Sequence, residues 1–577
     1  MPHEKAAARG SEDNTRERGK IIPGKNKIIT GLIGIFPVTV KNIFEKQKIT
    51  SMKGKYISTL LLASTVALSS CGDFLSEYSQ DQTVASQVSH FDELMLGSGY
   101  LGSSPISSGP NGNNVAGFFN ILDDDVNTGR DRDSTSTYVS KAWLQSLQGI
   151  YGYFGWQEDV GVNNDGTIIN DDAVTWNTLY NHINVINVIL DEIATVPHDD
   201  DVTDAAWLRV QGEAHFCRAQ FYFTLANLYG KPYDESTAAT DPCVPLKLTP
   251  NIEHKFSRAS VKDVYAQVVS DLTKAKDYLT RSPQNTSHLL HRASAEAAHL
   301  LLSRVYLYMQ DWEKAEAEAD SVMKSENFHL AAIGSLVPGE PYLTSENDDV
   351  IFSQGSNNIE SNDIFTARPG DFCVSRDLYE LYDSLDRRRT CFFGEYVDSL
   401  SSVSNDSIIL RYKYERGGSL RAHISDAFCL RMSEAYLNKA EACAMQDKTA
   451  PALQALNALR AERIEGYTAK SYQGDELIRQ VRDERRKELC FEGHRWFDLR
   501  RYGVSKRLPL EKNIVHVYNA CGDYVGITYT RTLVLPPRDL SYTFAIPKSV
   551  MDFFTDGSMT TNERPERDPL EKEQADK

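Results

Sequence analysis

The sequence has no CxxC pair and no His–Cys spacing suited to zinc, although nine cysteines are present, at positions 71, 217, 243, 373, 391, 429, 443, 490 and 521. Sulfur-based metal chemistry is therefore not expected. It also has no GxSxG, no HExxH and no GxxxxGK followed by Ser or Thr, and its 13 histidines are scattered. The signatures of the common serine hydrolases, zinc proteases and P-loop enzymes are thus missing, and no cofactor or metal is expected. Past Cys71 no run of about 18 apolar residues occurs, so no transmembrane helix is expected there. Positive charge is scarce: 62 Lys and Arg stand against 80 Asp and Glu, a net charge of −18. The first 55 residues run against this trend, with 12 Lys and Arg to 5 Asp and Glu, which leaves 50 to 75 from Cys71 onward. So acidic a body repels phosphate backbones, and nucleic acid is excluded as a partner.

The basic start has a purpose legible from its layout. From Met52 the chain reads MKGKYISTLLLASTVALSSCGDF: two lysines, an apolar run from Tyr56 to Leu68, then Ser-Ser-Cys-Gly. The run is too short for a permanent span of about 20 residues, and the pattern is that of a lipoprotein signal peptide. Leu68-Ser69-Ser70-Cys71 is expected to be the lipobox, with cleavage before Cys71 and acyl chains on its thiol and new amino group. At about 0.8 kcal/mol per buried CH₂, several such chains make an anchor that does not let go. Translation is expected to start at Met52, which makes residues 1–51 an upstream extension, 52–70 the signal peptide and 71–96 a tether and first segment. If Cys71 is lipidated, eight cysteines remain. Several of these (Cys217, Cys429, Cys443, Cys490) lie in apolar helical runs, where free cysteine packs as a small hydrophobe.

Helical periodicity starts after a Gly-, Ser-, Asn- and Asp-rich stretch. In 174–194, Trp176, Tyr180, Ile183, Ile186 and Leu190 recur at helical spacing; in 203–229, Trp207, Val210, Ala214, Cys217, Phe221, Leu225 and Leu228 do so. More helices are expected at 260–280, 291–309, 311–324, 427–446 and 450–463. Segments Arg304–Ser321 and Ala440–Asn457 align without a gap and share Met-Gln-Asp at 309–311 and 445–447, with Ala315, Ala319, Ala440, Ala444 and Ala455 in small-residue positions. Small residues let helices cross closely, and helix–turn–helix units of this spacing are similar to tetratricopeptide repeats. Long stretches without period, at 97–172, 325–426 and 503–577, are expected to carry the variable working surface.

An ordered series of short matches runs through the mature chain: Cys71-Gly72-Asp73-Phe74-Leu75, then Trp176, Tyr180, Ile183 and Asn187, then Glu213, Ala214, Arg218 and Tyr229-Gly230-Lys231-Pro232-Tyr233. Later come Arg431, Glu434 and Glu441, Glu484-Arg485-Arg486, Phe491-Glu492-Gly493, Arg495-Trp496-Phe497-Asp498-Leu499-Arg500 and Ile546-Pro547. On these residues the chain resembles the SusD/RagB-like glycan-binding lipoproteins. The resemblance implies a mostly α, SusD-like fold with tetratricopeptide-like helical pairs plus a loop-rich, irregular half, divided into an N-terminal region (97–325) and a C-terminal region (326–577). It further implies a non-enzymatic lipoprotein of the outer membrane, exposed at the cell surface. Such a protein passes oligosaccharide or, in some members, peptide to a SusC-like TonB-dependent transporter, and touches the membrane only through its lipid.

Candidate sites were weighed on their chemistry. Glu488 and Glu492, spaced for one helical face, are the pairing a glycosidase would use. Arginines crowd them, however, and helical spacing would join Glu492 to Arg495 and Asp498 to Arg501, so ion pairing and a framework role are expected. Asp123-Asp124-Asp125 with Asn127, and Asn163-Asn164-Asp165-Gly166, do not fit the twelve-residue EF-hand loop, and solvated turns are expected. Sugar binding calls for flat aromatic faces beside hydrogen-bonding side chains. Trp156, Trp143, Tyr153 and Asn163 are therefore the expected ligand-binding residues, whereas Trp176 is in register with a helix core. A protein-binding tetratricopeptide scaffold and a lipid-anchored glycoside hydrolase are the alternatives.

Overall fold

The computed structural model describes residues 85–102, 115–128, 150–162, 166–168, 172–251, 257–284, 286, 289–357, 372–396, 407–414, 424–522, 526–554 and 556–570. Cys71, Trp143 and Asn163 lie outside the described residues. Among the latter, no helix is long and apolar enough to cross a membrane.

After a short α1 (Val88–Leu94), the helical half follows the expected periodicity closely: α2 (Val174–Glu192), α3 (Asp201–Tyr229), α4 (Val261–Arg281), α5 (Ala295–Tyr308) and α6 (Trp312–Met323). It continues with α7 (Met432–Met445), α8 (Thr449–Ala461), α9 (Gly474–Glu488) and α10 (Arg495–Gly503). The starts of α3 to α6 are set by side-chain caps. Asp200 accepts from the Thr203 amide at 3.0 Å, Ser260 from Asp263 at 3.1 Å and Ser294 from Ala297 at 3.2 Å.

The α3 helix departs from the amphipathic expectation. From Leu208 to Tyr229 every residue is buried, polar ones included. A helix surrounded on all sides must satisfy its charges internally. Arg209 meets Asp92 at 2.8 Å, Glu213 meets Arg292 at 2.9 Å, and Arg218 and His215 both reach Asp271 at 2.7 Å. These pairs tie α3 to α1 and α4.

The internal repeat is real at the level of packing. Ala315 and Ala319 on α6 are fully buried against α5, and Ser303 donates to the Ala315 carbonyl at 2.8 Å, an approach that a larger residue would block. Ala440, Ala444 and Ala455 play the same part where α7 meets α8. The shared Met-Gln-Asp turns differ in one respect: the left-handed residue is Gln310 in the first and Asp447 in the second.

The stretches without helical period contain strands. The β1 (Val126–Thr128), β3 (Phe372–Val374), β5 (Ser407–Leu410) and β4 (Phe393–Tyr396) strands form an antiparallel sheet in that order. The β2 (Val350–Ser353) strand pairs β6 (Cys429–Arg431), and β7 (Ile514–Gly522) pairs β8 (Gly526–Leu535) as a hairpin within the stretch 503–577 that shows no helical period. One apolar core cluster includes residues from Val88 to Leu570 and runs across residue 325. Cys217, Cys243, Cys373, Cys391, Cys429, Cys443 and Cys490 are buried free thiols, in keeping with their apolar settings.

Candidate functional site

The Glu484–Gly503 stretch folds as two helices, not one. The α9 helix ends at Glu488, and the turn before α10 uses left-handed backbone at Phe491 (φ 57°) and Gly493 (φ 70°). Glu488 and Glu492 therefore do not share a helical face. Glu488 is fully buried among three arginines, accepting from Arg463 Nε and Arg388 Nη1 at 2.9 Å and from Arg431 Nη1 at 3.1 Å. Glu492, expected to meet Arg495, instead receives Arg431 Nη2 at 2.8 Å and Lys413 Nζ at 2.9 Å. Glu484 holds Arg388 at 2.6 Å and Arg460 at 2.7 Å. Asp498 does meet Arg501, as spaced, and also Arg485, both at 2.8 Å. Burial by itself would raise the pKa of Glu488, but Arg463, Arg431 and Arg388 hold it well below the usual range. A carboxyl group so held cannot lend a proton near neutral pH, so this pair does not make a general acid.

Asp123, Asp124 and Asp125 are not a solvated turn. All three are buried, with ligand-capable oxygens within 4.8 Å of one another. Protein cations already serve two of them: Arg495 reaches Asp124 at 2.6 Å, Lys512 reaches it at 2.8 Å, and Arg486 reaches Asp125 at 2.6 Å. Burial, with the charges of Asp125 and Asp124 added, pushes Asp123 well above the usual carboxylate range, while Arg486, Arg495 and Lys512 overcome burial to hold Asp124 well below it. The cluster joins β1 to α9 and α10, and its electrostatics are those of an internal ion network.

Trp156, expected as a stacking platform, is a core residue. It is 1% exposed, its Nε1 donates to the Leu122 carbonyl at 2.9 Å, and its ring lies 4.4 Å from the His516 ring, nearly parallel to it. Its backbone takes φ 50° to close the turn after the helical turn Tyr151–Phe154, which aims the indole inward. Tyr153 is half-buried, with one face stacked on Phe118 at 4.0 Å. The sequence could not distinguish an aromatic loop from an aromatic turn folded onto a β hairpin, because His516 lies 360 residues away. Trp176 is buried on α2, as its register required.

A cavity of about 570 Å³ opens elsewhere, where the turn after α3 meets α10 and the segments at 537–543 and 561–563. Its wall includes Lys231 and Asp234 from the turn after α3, Arg500 from α10, and Tyr542, Asn562 and Glu563. Tyr542 is backed by Trp496, whose ring is 4.6 Å away, and Asn562 is fixed by donating to the Tyr229 and Phe544 carbonyls at 2.8 and 2.7 Å. The size falls in the range of small-ligand sites, roughly 300–1,000 Å³. Apolar Leu499, Val504, Leu510 and Leu540 alternate with these polar groups around the wall. Sequence reasoning had noted Arg500 only as one letter of a framework motif. Neighbouring Arg501 turns toward Glu441 on α7 at 2.6 Å, whereas Arg500, about 100° further round the helix, turns to the end of α3.

Comparison with known proteins agrees with this architecture. Residues 115–307 match a family model, SusD-like, described as starch-binding and associating with the outer membrane, and residues 384–562 match the model of the SusD family. The chain belongs to the SusD/RagB family. This is a family of non-catalytic glycan-binding proteins. Among SusD/RagB relatives, SusD-like protein P2 of Formosa agariphila is 25% identical over 429 residues, which cover 65% of this chain and 80% of that protein. The crystal structure of a SusD superfamily protein from Bacteroides thetaiotaomicron covers 83% of this chain and 98% of its own at a TM-score of 0.59 and 22% identity. A SusD-like carbohydrate binding protein from Bacteroides vulgatus covers 81% and 96% at a TM-score of 0.60 and 19% identity. Within this SusD/RagB chain, the carboxylates of the motif Glu484–Gly503 described above are framework: Glu484, Glu488, Glu492 and Asp498 are each held by cationic side chains of the protein itself.

Proposed function

We propose that this chain is a surface lipoprotein of the outer membrane that captures an oligosaccharide and passes it, chemically unchanged, to a SusC-like TonB-dependent transporter. The observation that carries the reading is the match of both halves of the chain to models of one family, one of them described as starch-binding and associating with the outer membrane. A solved relative of the same fold is described as carbohydrate-binding. Lipidation of Cys71 supplies the anchor, on the strength of the signal-peptide layout that precedes it.

The cavity beside Arg500 is suited in size and lining to a sugar unit. It offers Asn562, Asp234, Glu563 and Lys231 to hydroxyl groups, and Tyr542 and leucines to ring C–H faces. A hydrolase reading would need a carboxyl group free to carry a proton, and Glu484, Glu488 and Glu492 are each bound to two or more cationic side chains. Trp143 and Asn163 remain proposed ligand contacts, to be tested by substitution.

Calorimetric titration of the full-length chain in detergent against a panel of oligosaccharides, with product analysis after each run, tests the reading. Saturable heat with intact ligand is the expected result. Cleaved ligand would overturn the non-enzymatic role, and no heat with any glycan would overturn glycan capture.

A further inference from the structure

The buried arginines of this protein are of two kinds. Most, from Arg209 on α3 to Arg501 on α10, have a carboxylate within salt-bridge distance. Arg482, Arg500 and Arg564 have none among the described residues, and neither does half-buried Arg258; Arg482 stands apart, donating to the Leu508 carbonyl, whereas Arg500 lines the cavity described above and Arg564 and Arg258 bond to residues of its wall.

Arg500 lines that cavity and is 4% exposed. Its Nη1 donates to the Asn227 carbonyl, its Nη2 to the Gly230 carbonyl at 2.6 Å, and its Nε has no partner. Arg564 donates to the carbonyls of Ser541 and Gln157, at 2.8 and 2.9 Å, and to that of Thr543, which is in the cavity wall. Its Nε is likewise without a partner. Arg258 donates to the carbonyls of Cys243, Tyr229 and Pro242 and to the side chain of Asn562, another wall residue, at 2.6 to 3.0 Å. Backbone carbonyls satisfy donors but do not cancel a unit charge. Burial accordingly pushes the pKa of Arg500 and of Arg564 down to about 10, and lowers that of Arg258.

The carboxylates in the wall do not restore neutrality at depth. Asp241 is taken by Lys231 at 2.8 Å, and Asp539 by Arg567 at 3.0 Å. Asp234 is bound to the Ser236 hydroxyl and amide at 2.7 and 2.9 Å, at the partly exposed turn, and Glu563 is exposed. Charges at the rim are screened by water and salt within about 8–10 Å, whereas buried ones are screened much less. The interior of the cavity is therefore under the field of guanidinium groups that the protein leaves unbalanced.

We propose that this cavity binds an acidic sugar unit, one bearing a uronate carboxylate or a sulfate ester, whose charge completes the pairing that the protein omits at Arg500, Arg564 and Arg258. The proposal rests on the glycan-capture reading and narrows it to acidic oligosaccharides. Hydroxyls of the same unit would fall to Asn562 and Asp234, and Lys231 and Lys512 at the mouth would favour approach of the anion.

The test uses the full-length chain in detergent and three probes: trigalacturonate, its carboxyl-reduced galactose counterpart, and a sulfated galactose trisaccharide. Expected is at least tenfold tighter binding of one or both acidic probes than of the reduced one, with the advantage shrinking between 0.05 and 0.5 M salt as the attraction between the anionic groups and the guanidinium groups is screened. Which acidic probe wins tells carboxylate from sulfate. Arg500→Gln should bring the acidic probe to within about threefold of the neutral one, while Arg500→Lys keeps part of the preference. Because Arg500→Gln could disturb the end of α3, a second variant, Thr237→Trp, plugs the cavity from an exposed position and should abolish binding of the acidic probes at unchanged thermal stability. Equal affinity for reduced and acidic probes, or acidic binding that survives Thr237→Trp, overturns this inference and leaves glycan capture standing. No binding of any glycan, neutral or acidic, overturns both.

Discussion

Replacing Glu488 by Gln should cost the fold dearly and leave ligand binding alone. The Glu488 carboxylate is fully buried and takes four hydrogen bonds from three guanidinium groups: Arg463 at 2.9 and 3.0 Å, Arg388 at 2.9 Å and Arg431 at 3.1 Å. Arg388 would still have Asp386 and Glu484, and Arg431 would still have Asp349 and Glu492. Arg463 would be left with Asp349, 3.7 Å away, as its one carboxylate among the described residues, beside neutral acceptors such as the Ala331 carbonyl and Ser433 Oγ. Removing one partner from a buried charge group typically costs about 3–5 kcal/mol. An unfolding entropy of about 2.1 cal/mol/K per residue, over roughly 490 residues, converts ~4 kcal/mol into a fall in Tm of about 4 °C. The pH dependence has a definite sign. Because the folded-state pKa is held well below the ordinary 4.5, the stabilisation is fully present above pH 4.5 and fades as pH falls toward the folded value. The gap between wild type and Glu488→Gln, followed by calorimetry or by denaturant midpoints, should therefore be constant from pH 8 to about 5 and close in more acid solution. An unchanged Tm at pH 7, or a loss of glycan affinity without loss of stability, would refute the framework assignment.

Other outcomes follow from single features. Cys71→Ala should move the protein from the membrane fraction to a soluble or secreted form, and a variant that stays membrane-bound after a high-salt wash would contradict the lipid anchor. Trp156→Ala should destabilise by about 3–5 kcal/mol, the usual cost of emptying a buried Trp site; a near-native denaturation midpoint with weakened glycan binding would return Trp156 to the ligand. Gly493→Ala should lower stability by about 1–3 kcal/mol, because φ is +70° there and a Cβ would stand 3.2 Å from Phe119 and 3.3 Å from the Ala427 backbone; a midpoint within 0.3 kcal/mol of wild type, a bound set by additivity errors, would refute it.

The helical frame was legible in the sequence because its signals are local. Periodicity placed α2 through α8 to within a few residues, and alanines at 315, 319 and 440 announced close crossings before any partner was known. The exclusions were equally local: composition and absent motifs removed nucleic acid, zinc and the common hydrolases. Site geometry was not local, and there the reading failed in a consistent way. Trp156 looked like a loop aromatic because the residues that bury it, Leu122 and His516, come from distant segments. Glu492 was paired on paper with Arg495, three residues away, but the left-handed turn at Phe491 and Gly493 sends it to Arg431 and Lys413. Helical spacing gave Arg501 a carboxylate, Asp498, three residues back, but nothing local told that Arg500 would find none among the described residues or that Arg501 would find a second in Glu441. Adjacent on the chain, they point about 100° apart on a helix, and the packing of α10 between α7 and the end of α3 decides that Arg501 gains Glu441 as a second carboxylate while Arg500 is left at the wall of a cavity.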